Sequence, residues 1–240
     1  MNLKKMAAAE AVKMVECGMV LGLGTGSTSR YAIEIIGERL RDGSLCDIVG
    51  VPTSSGSERL ARDLCIPLTT LREHPVLDLT IDGADEVDSD LNLIKGGGGA
   101  LLRERIVAQA SRQEVIIVDE SKLVSELGTR FPLPVEVVPF GRGTYVKALE
   151  RHGCEPVLRA RGEHPYLTDE GNYVLDCRFP GIPDPAELLC KLSAIPGVVD
   201  VGIFVGLASL VIVASESGVR ELRPLHRQRR HLGTPRTGGY

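Results

Sequence analysis

Met19-Val20-Leu21-Gly22-Leu23-Gly24-Thr25-Gly26-Ser27-Thr28 is a short apolar run that passes straight into a glycine-rich loop, and Thr28–Leu40 behind it has helical spacing. Strand, glycine loop, helix is the arrangement in which free backbone N–H groups and the positive end of a helix converge on an anion. A phosphate is the natural guest. The loop has no Gly-Lys-Ser/Thr, so it is not a nucleotide P-loop, and it reads G-x-G-x-G where a dinucleotide fold has G-x-G-x-x-G. The next strand, Asp47–Val51, ends in Pro52-Thr53-Ser54-Ser55 where a ribose-binding carboxylate would stand. Neither ATP nor NAD is supported.

Outward from this unit the alternation continues. Lys4–Cys17 reads as a helix stopped by Gly18, followed after the loop by helix Ser57–Leu64, strands Ile66–Thr69 and Leu77–Ile81, helix Ala100–Ala110 and strand Val115–Val118. Such alternation predicts a Rossmann-like parallel-sheet domain. Beyond Phe131-Pro132-Leu133-Pro134 the order becomes strand Val135–Val138, helix Gly143–His152, strands Pro156–Arg159 and Tyr173–Arg178, helix Pro185–Ile195 and strand Val198–Phe204. That βαββαβ order is ferredoxin-like. Ser209–Ala214 then returns to the first sheet. The expected fold is therefore α/β, with residues 1–130 and 207–222 as the Rossmann-like catalytic domain. Residues 131–206 form an inserted ferredoxin-like α+β domain, and 223–240 a basic, disordered tail.

The chemistry concentrates between Asp82 and Glu104. Asp82-Gly83-Ala84-Asp85-Glu86 follows the strand Leu77–Ile81, so Asp82 and Asp85 lie past a strand's carboxyl end, where open α/β sheets bind ligands. Lys95-Gly96-Gly97-Gly98-Gly99 follows. Each ordered glycine costs about 0.5–1 kcal/mol relative to Ala, so a run of them marks backbone passing close to something. Glu104 falls in the first turn of the next helix and can face the same space, whereas Arg103 and Arg105 point elsewhere. Lys122 again follows a strand's carboxyl end.

Composition narrows the class. The 240 residues are 43% hydrophobic and 25% charged, ordinary for a globular chain with a sizeable core. The net charge of −4 divides into +5 for residues 220–240, from six Arg and one Glu, and −9 for the rest. Lys4, Lys5, Glu10, Lys13 and Glu16 interrupt the first helix, which is no signal peptide, and Val201–Ala214 is too short and glycine-broken to cross a bilayer. No membrane and no nucleic-acid partner is expected, and the location is read as cytoplasmic. The six cysteines lack any C-x-x-C pair and read as buried free thiols; the five histidines show no metal-ligand spacing.

Taken together and in order, Gly24-Thr25-Gly26-Ser27-Thr28, Asp82-Gly83-Ala84-Asp85-Glu86, Lys95 through Ala100, Glu104 and Phe131-Pro132-Leu133-Pro134-Val135-Glu136 resemble the ribose-5-phosphate isomerase type A family. The resemblance covers about residues 3–220. It implies an aldose–ketose isomerase of the pentose phosphate pathway's non-oxidative branch, acting on ribose 5-phosphate and ribulose 5-phosphate through an enediolate, without metal or organic cofactor. A homodimer or homotetramer is implied too. Carried over residue by residue, Glu104, Asp82, Asp85 and Lys95 are the catalytic set. Thr25, Gly26, Ser27, Thr28, Asp82, Gly83, Ala84, Asp85, Lys95, Gly96, Gly97, Gly98 and Lys122 are the substrate-binding set, with Lys4 a further phosphate candidate. Two other classes compete: a non-catalytic sugar-phosphate sensor, which would need a DNA-binding module, and a coenzyme A transferase, in which Glu104 would attack an acyl group.

Overall fold

The computed structural model describes residues 2–224, so the tail from residue 225 onward lies outside the described residues. In chain order the elements are α1 (Leu3–Val12), β1 (Val20–Leu23), α2 (Ser29–Arg41), β2 (Val49–Pro52), α3 (Ser55–Asp63), β3 (Leu79–Asp82), β4 (Glu86–Val87), β5 (Leu93–Ile94), α4 (Leu101–Ala110) and β6 (Glu114–Asp119). A 3-10 turn, Glu120–Lys122, follows. Next come β7 (Leu133–Val137), α5 (Arg142–Glu150), β8 (Glu155–Leu158), β9 (Ala160–Arg161), β10 (His164–Pro165), β11 (Tyr173–Arg178), α6 (Pro185–Ser193), β12 (Val198–Val201), β13 (Ile203–Phe204), β14 (Leu210–Ser215) and β15 (Gly218–Leu222).

The central sheet runs β15-β14-β6-β3-β1-β2. Its first five strands in sequence pair in parallel, whereas β15 folds back antiparallel on β14 to make an edge that the sequence pattern did not announce. From β1 the chain steps to β2 on one side and then to β3 on the other, so the strand order reverses between β1 and β3. Ligand crevices open at the carboxyl ends of such a switch point. One face of the sheet is covered by α1 and α2, which pack against each other, and Ala7, Ala8 and Ala11 share one buried core with Ile33 and Ile36. Small side chains let the two helices approach closely.

A second sheet, β12-β7-β11-β8, is antiparallel throughout and packs with α5 and α6 over its own core, including Val135, Tyr145, Leu149 and Leu192. The two sheets are joined by a three-stranded ribbon, β13-β5-β4.

Several expected boundaries shift for identifiable reasons. Val198–Phe204 is not one strand: it breaks at Gly202, whose N–H reaches Pro134 O at 2.7 Å while its carbonyl accepts from Lys95 N at 2.9 Å. A Cβ at Gly202 would run into the Pro134 backbone and ring at 3.0 Å. Ile203–Phe204 thereby crosses to pair with β5. Ile66–Thr69 makes only one isolated bridge, Gly50 with Leu68, instead of a strand. The first helix ends at Val12, before Cys17: the chain continues in tighter turns, Met14 N to Ala11 O and Val15 N to Val12 O, and Arg39 takes the Val12 and Val15 carbonyls at 2.8 and 3.2 Å. The cysteines also differ from expectation. Only Cys154 and Cys177 are buried, whereas Cys17, Cys46, Cys65 and Cys190 are exposed.

Candidate active site

The cleft lies at the carboxyl ends of β1 and β3, with a volume of about 100 Å³. The loop after β1 supplies Thr25, Gly26, Ser27 and Thr28, the turn after β3 supplies Gly83, Ala84 and Asp85, and the glycine run after β5 supplies Lys95, Gly96, Gly97 and Gly98. Glu104 from α4, Lys122 from the 3-10 turn and Lys4 from α1 complete the lining. Every sequence-derived binding residue except Asp82 lines this one cleft. Asp82 lies directly beneath it, wholly buried.

Asp82 is held as a buried junction. Its Oδ1 accepts from Thr25 N at 2.9 Å, Gly83 N at 2.7 Å and Ser29 Oγ at 3.1 Å, while Oδ2 lies 3.1 Å from Lys95 Nζ. Gly24 has no Cβ because that space holds the Asp82 backbone, 2.6 Å from where a Cβ would stand. The two chain-separated loops are thus fastened through one carboxylate.

Lys95 Nζ also donates to Gly83 O and sits 3.4 Å from Glu104 Oε2. Burial alone would lower the Lys95 ammonium, but the Asp82 and Glu104 carboxylates overcome it and raise it above its ordinary value. It therefore stays charged. Burial pushes the Glu104 carboxyl up to about 8, with Lys95 opposing and the Asp82 and Asp85 charges adding. Desolvation outweighs the single cation because the group is almost fully withdrawn from water. Asp85 is also raised by burial, against the lowering effects of the Gly97 N–H, Lys95, Lys122 and Arg159.

At the other end, the loop between β1 and α2 crosses Gly26 at φ +109°, a backbone region open to glycine. The first turn of α2 has no side-chain cap, and Lys4 Nζ donates to Ser27 Oγ at 2.8 Å. Thr25 Oγ1 meets Thr53 Oγ1 and Ser54 Oγ, each at 2.7 Å, which ties the loop to the end of β2. A cation, the N-terminus of a helix and hydroxyls surround a space suited to a phosphate. Among the described residues, no group of three or more His, Cys, Asp or Glu is placed to hold a metal ion.

A family model for ribose 5-phosphate isomerase A (phosphoriboisomerase A) matches residues 49–218. The chain belongs to that family. It is 56% identical over 220 residues to ribose-5-phosphate isomerase A of Chloroflexus aurantiacus, covering 91% of this chain and 92% of the relative. It is 55% identical over 223 residues to the same-named protein of Gloeobacter violaceus, at 92% and 96% coverage. A solved D-ribose-5-phosphate isomerase in complex with phospho-erythronic acid superposes with a TM-score of 0.91 at 42% identity, covering 93% of this chain and all of the other. The α/β fold with its mostly parallel sheet is thus that of solved members of the ribose-5-phosphate isomerase A family. No helix among the described residues is long and apolar enough to cross a membrane.

Sequence reasoning missed other residues around this isomerase-family cleft. Ser29 is fully buried against Asp82, and its only signal was its place at the start of α2. Glu114, on β6 beside Thr80 of β3, is buried with neither carboxylate oxygen hydrogen-bonded. Burial, with the Asp82 charge next, raises its carboxyl well above the usual carboxylate range. Arg159 and Tyr166 reach the glycine run from the second sheet's arm. Nothing local marks them.

Proposed function

We infer that this chain interconverts D-ribose 5-phosphate and D-ribulose 5-phosphate, an intramolecular oxidoreduction through an enediolate. Family membership supplies the reaction. The observation that carries the assignment of roles is the placement of Glu104, Lys95, Asp82 and Asp85 around one cleft at the switch point. Net, one hydrogen moves from C2 to C1 and one from O2 to O1.

In this reading the substrate phosphate lies on the Thr25–Thr28 loop, with Lys4 and Lys122 offsetting its charge in an otherwise acidic body. Glu104 takes the C2 proton and returns it to C1. A base works best with its pKa near the operating pH, and desolvation brings Glu104 into that range. Negative charge develops on the enediolate oxygen, where Lys95 is already held charged and immobile by Asp82. A fixed cation there needs no reorganisation as the charge forms. Asp85 handles the sugar hydroxyls, assists ring opening and moves protons between O1 and O2, while Asp82 beneath the cleft holds Lys95 in place. No step requires a metal or organic cofactor.

Residues 1–130 with 207–222 are proposed as the catalytic domain and 131–206 as a ferredoxin-like insertion. The β12-β7-β11-β8 order, with one helix in each βαβ half, supports the latter. The proposed setting is a cytoplasmic homodimer or homotetramer, on family resemblance alone.

The decisive assay is ribulose 5-phosphate formation from ribose 5-phosphate in excess EDTA, with Glu104→Gln alongside. Turnover by wild type and not by the variant supports both the reaction and the base. Equal turnover in the two removes Glu104 from that role.

A further inference from the structure

Arg159, at the end of β8, lies on the second sheet's side of the molecule, yet its guanidinium touches the glycine run. Nη1 donates to Gly96 O at 2.8 Å and to Gly97 O at 3.2 Å. Its other edge is gripped by Asp176 of β11, with Nε to Oδ2 at 3.0 Å and Nη2 to Oδ1 at 2.5 Å. That two-pronged ion pair fixes the plane of the guanidinium.

The carbonyl of Gly96 and the N–H of Gly97 belong to the same peptide unit. In a trans peptide they point in opposite directions, so holding one aims the other. The Gly97 N–H is aimed at Asp85, 2.7 Å from Oδ2. Glycine on both sides of this unit gives little resistance to rotating the peptide plane, and Gly96 already sits at φ +102°. Within the turn the Gly99 N–H donates to Gly96 O at 2.9 Å, and contacts from outside add to that hold. Arg159 on one side and Asp85 on the other are the polar side chains that grip it.

We propose that Arg159, anchored by Asp176, is a positioning residue that locks the Gly96–Gly97 peptide so that its N–H orients and stabilises the Asp85 carboxylate in the cleft. It is not among the residues that line the cleft. The second sheet thereby acts on the reaction through one peptide plane, supported by Tyr166, whose hydroxyl donates to Gly98 O at 3.2 Å. The groups facing Asp85 are the Gly97 N–H, Lys95, Lys122 and Arg159, which favour its charged form, and Glu104 across the cleft.

The proposal rests on the isomerase reading above, so wild-type turnover is measured first; its absence would sink that reading. The test of Arg159 then has two arms. Arg159→Gln and Arg159→Lys are each expected to lower kcat/KM by roughly tenfold to a hundredfold, the scale for misplacing a reacting-site group. Below the Glu104 limb, the kcat/KM profile of the variants steepens at a higher pH than that of the wild type, because Asp85 loses an N–H that favours its carboxylate. Lysine keeps the positive charge but cannot grip Asp176 with two prongs and reach Gly96 as well. If Arg159→Lys restored wild-type kinetics, charge alone would explain the residue and the proposal would fall.

The second arm needs no turnover. In the wild type the Gly97 amide proton should resonate downfield as a donor to a carboxylate, and should move upfield in both variants and in the milder Asp176→Asn. An unmoved Gly97 resonance would overturn the proposal, as would lowered thermal stability with unchanged kinetics per folded molecule.

Discussion

Lys95 Nζ stands 3.4 Å from Glu104 Oε2, and the two side chains are only 2% and 4% exposed. A carboxylate this close to an ammonium would ordinarily be held acidic. Here burial reverses the balance and leaves Glu104 up at about 8 while Lys95 remains a fixed cation. The proposed enediolate mechanism uses such a pair: a base that exchanges its proton near neutrality beside a fixed charge.

The pH dependence follows directly. As the proposed base, Glu104 would accept the C2 proton only when ionised, so kcat/KM should fall as pH drops through about 8, with unit slope just below it. A profile measured from mildly acidic to alkaline buffer checks this. A flat profile through that range would contradict Glu104 as the titrating base.

Glu104→Gln keeps the volume and removes the proposed base. The expected kcat loss is about 10² or more, with affinity for ribose 5-phosphate largely retained when measured by calorimetry. Loss of binding in parallel with kcat would assign Glu104 to substrate holding instead.

Replacing Lys95 by Met strips the Asp82 carboxylate of its partner inside the fold. Breaking a buried pair from one side typically costs about 3–5 kcal/mol, and losing a fixed charge at the developing oxyanion costs about 10²–10³ in kcat. The double variant Lys95→Met with Asp82→Asn should recover part of the stability in denaturant titrations and none of the activity. Recovery of both would mean that the pair serves folding only.

Glu86, buried on β4, accepts three backbone N–H groups: Gly128 and Arg130 at 2.6 Å and Phe131 at 2.7 Å. This carboxylate fastens the entry to the second sheet. Each buried donor left unsatisfied costs roughly 1–3 kcal/mol, so Glu86→Leu should destabilise the protein by roughly 3 kcal/mol or more in urea unfolding. A smaller effect would show that the Gly128–Phe131 turn finds water.

Glu114 gives a stability prediction with a defined sign. Its folded-state pKa is raised well above 4.5, so folding binds a proton that the unfolded chain releases once pH exceeds that value. The associated stability is fully present below about pH 4.5 and is lost as pH rises toward the folded pKa. Glu114→Gln cannot ionise. The melting temperature of wild type relative to this variant should therefore decline from acidic to alkaline pH. A constant difference would mean that Glu114 has an ordinary pKa.

How much of this was legible along the chain depended on the range of the interaction. Gly24 to Thr28 and Asp82 to Glu86 could be read because a strand, its terminal glycines and the polar residues behind it are neighbours in sequence. The Lys95–Gly99 run and Glu104 stand out by composition. Val198–Phe204 could not be divided correctly, since Gly202 breaks it only where Pro134 and Lys95 from distant segments take its backbone groups. Arg159, Ser29 and Glu114 are single residues in ordinary surroundings, and their meaning comes from Gly96, Asp82 and β3, each tens of residues away in sequence.

The sequence by itself determined the alternation of strands and helices, the anion-ready loop after β1 and the set of ionisable groups around the glycine run, because backbone propensity and local composition are written in consecutive residues. Only the tertiary structure decided which of those groups share a charge environment. Packing alone sets how far Glu104 and Glu114 are removed from water, and a carboxyl's affinity for its proton depends on that removal and on cations brought near by folding.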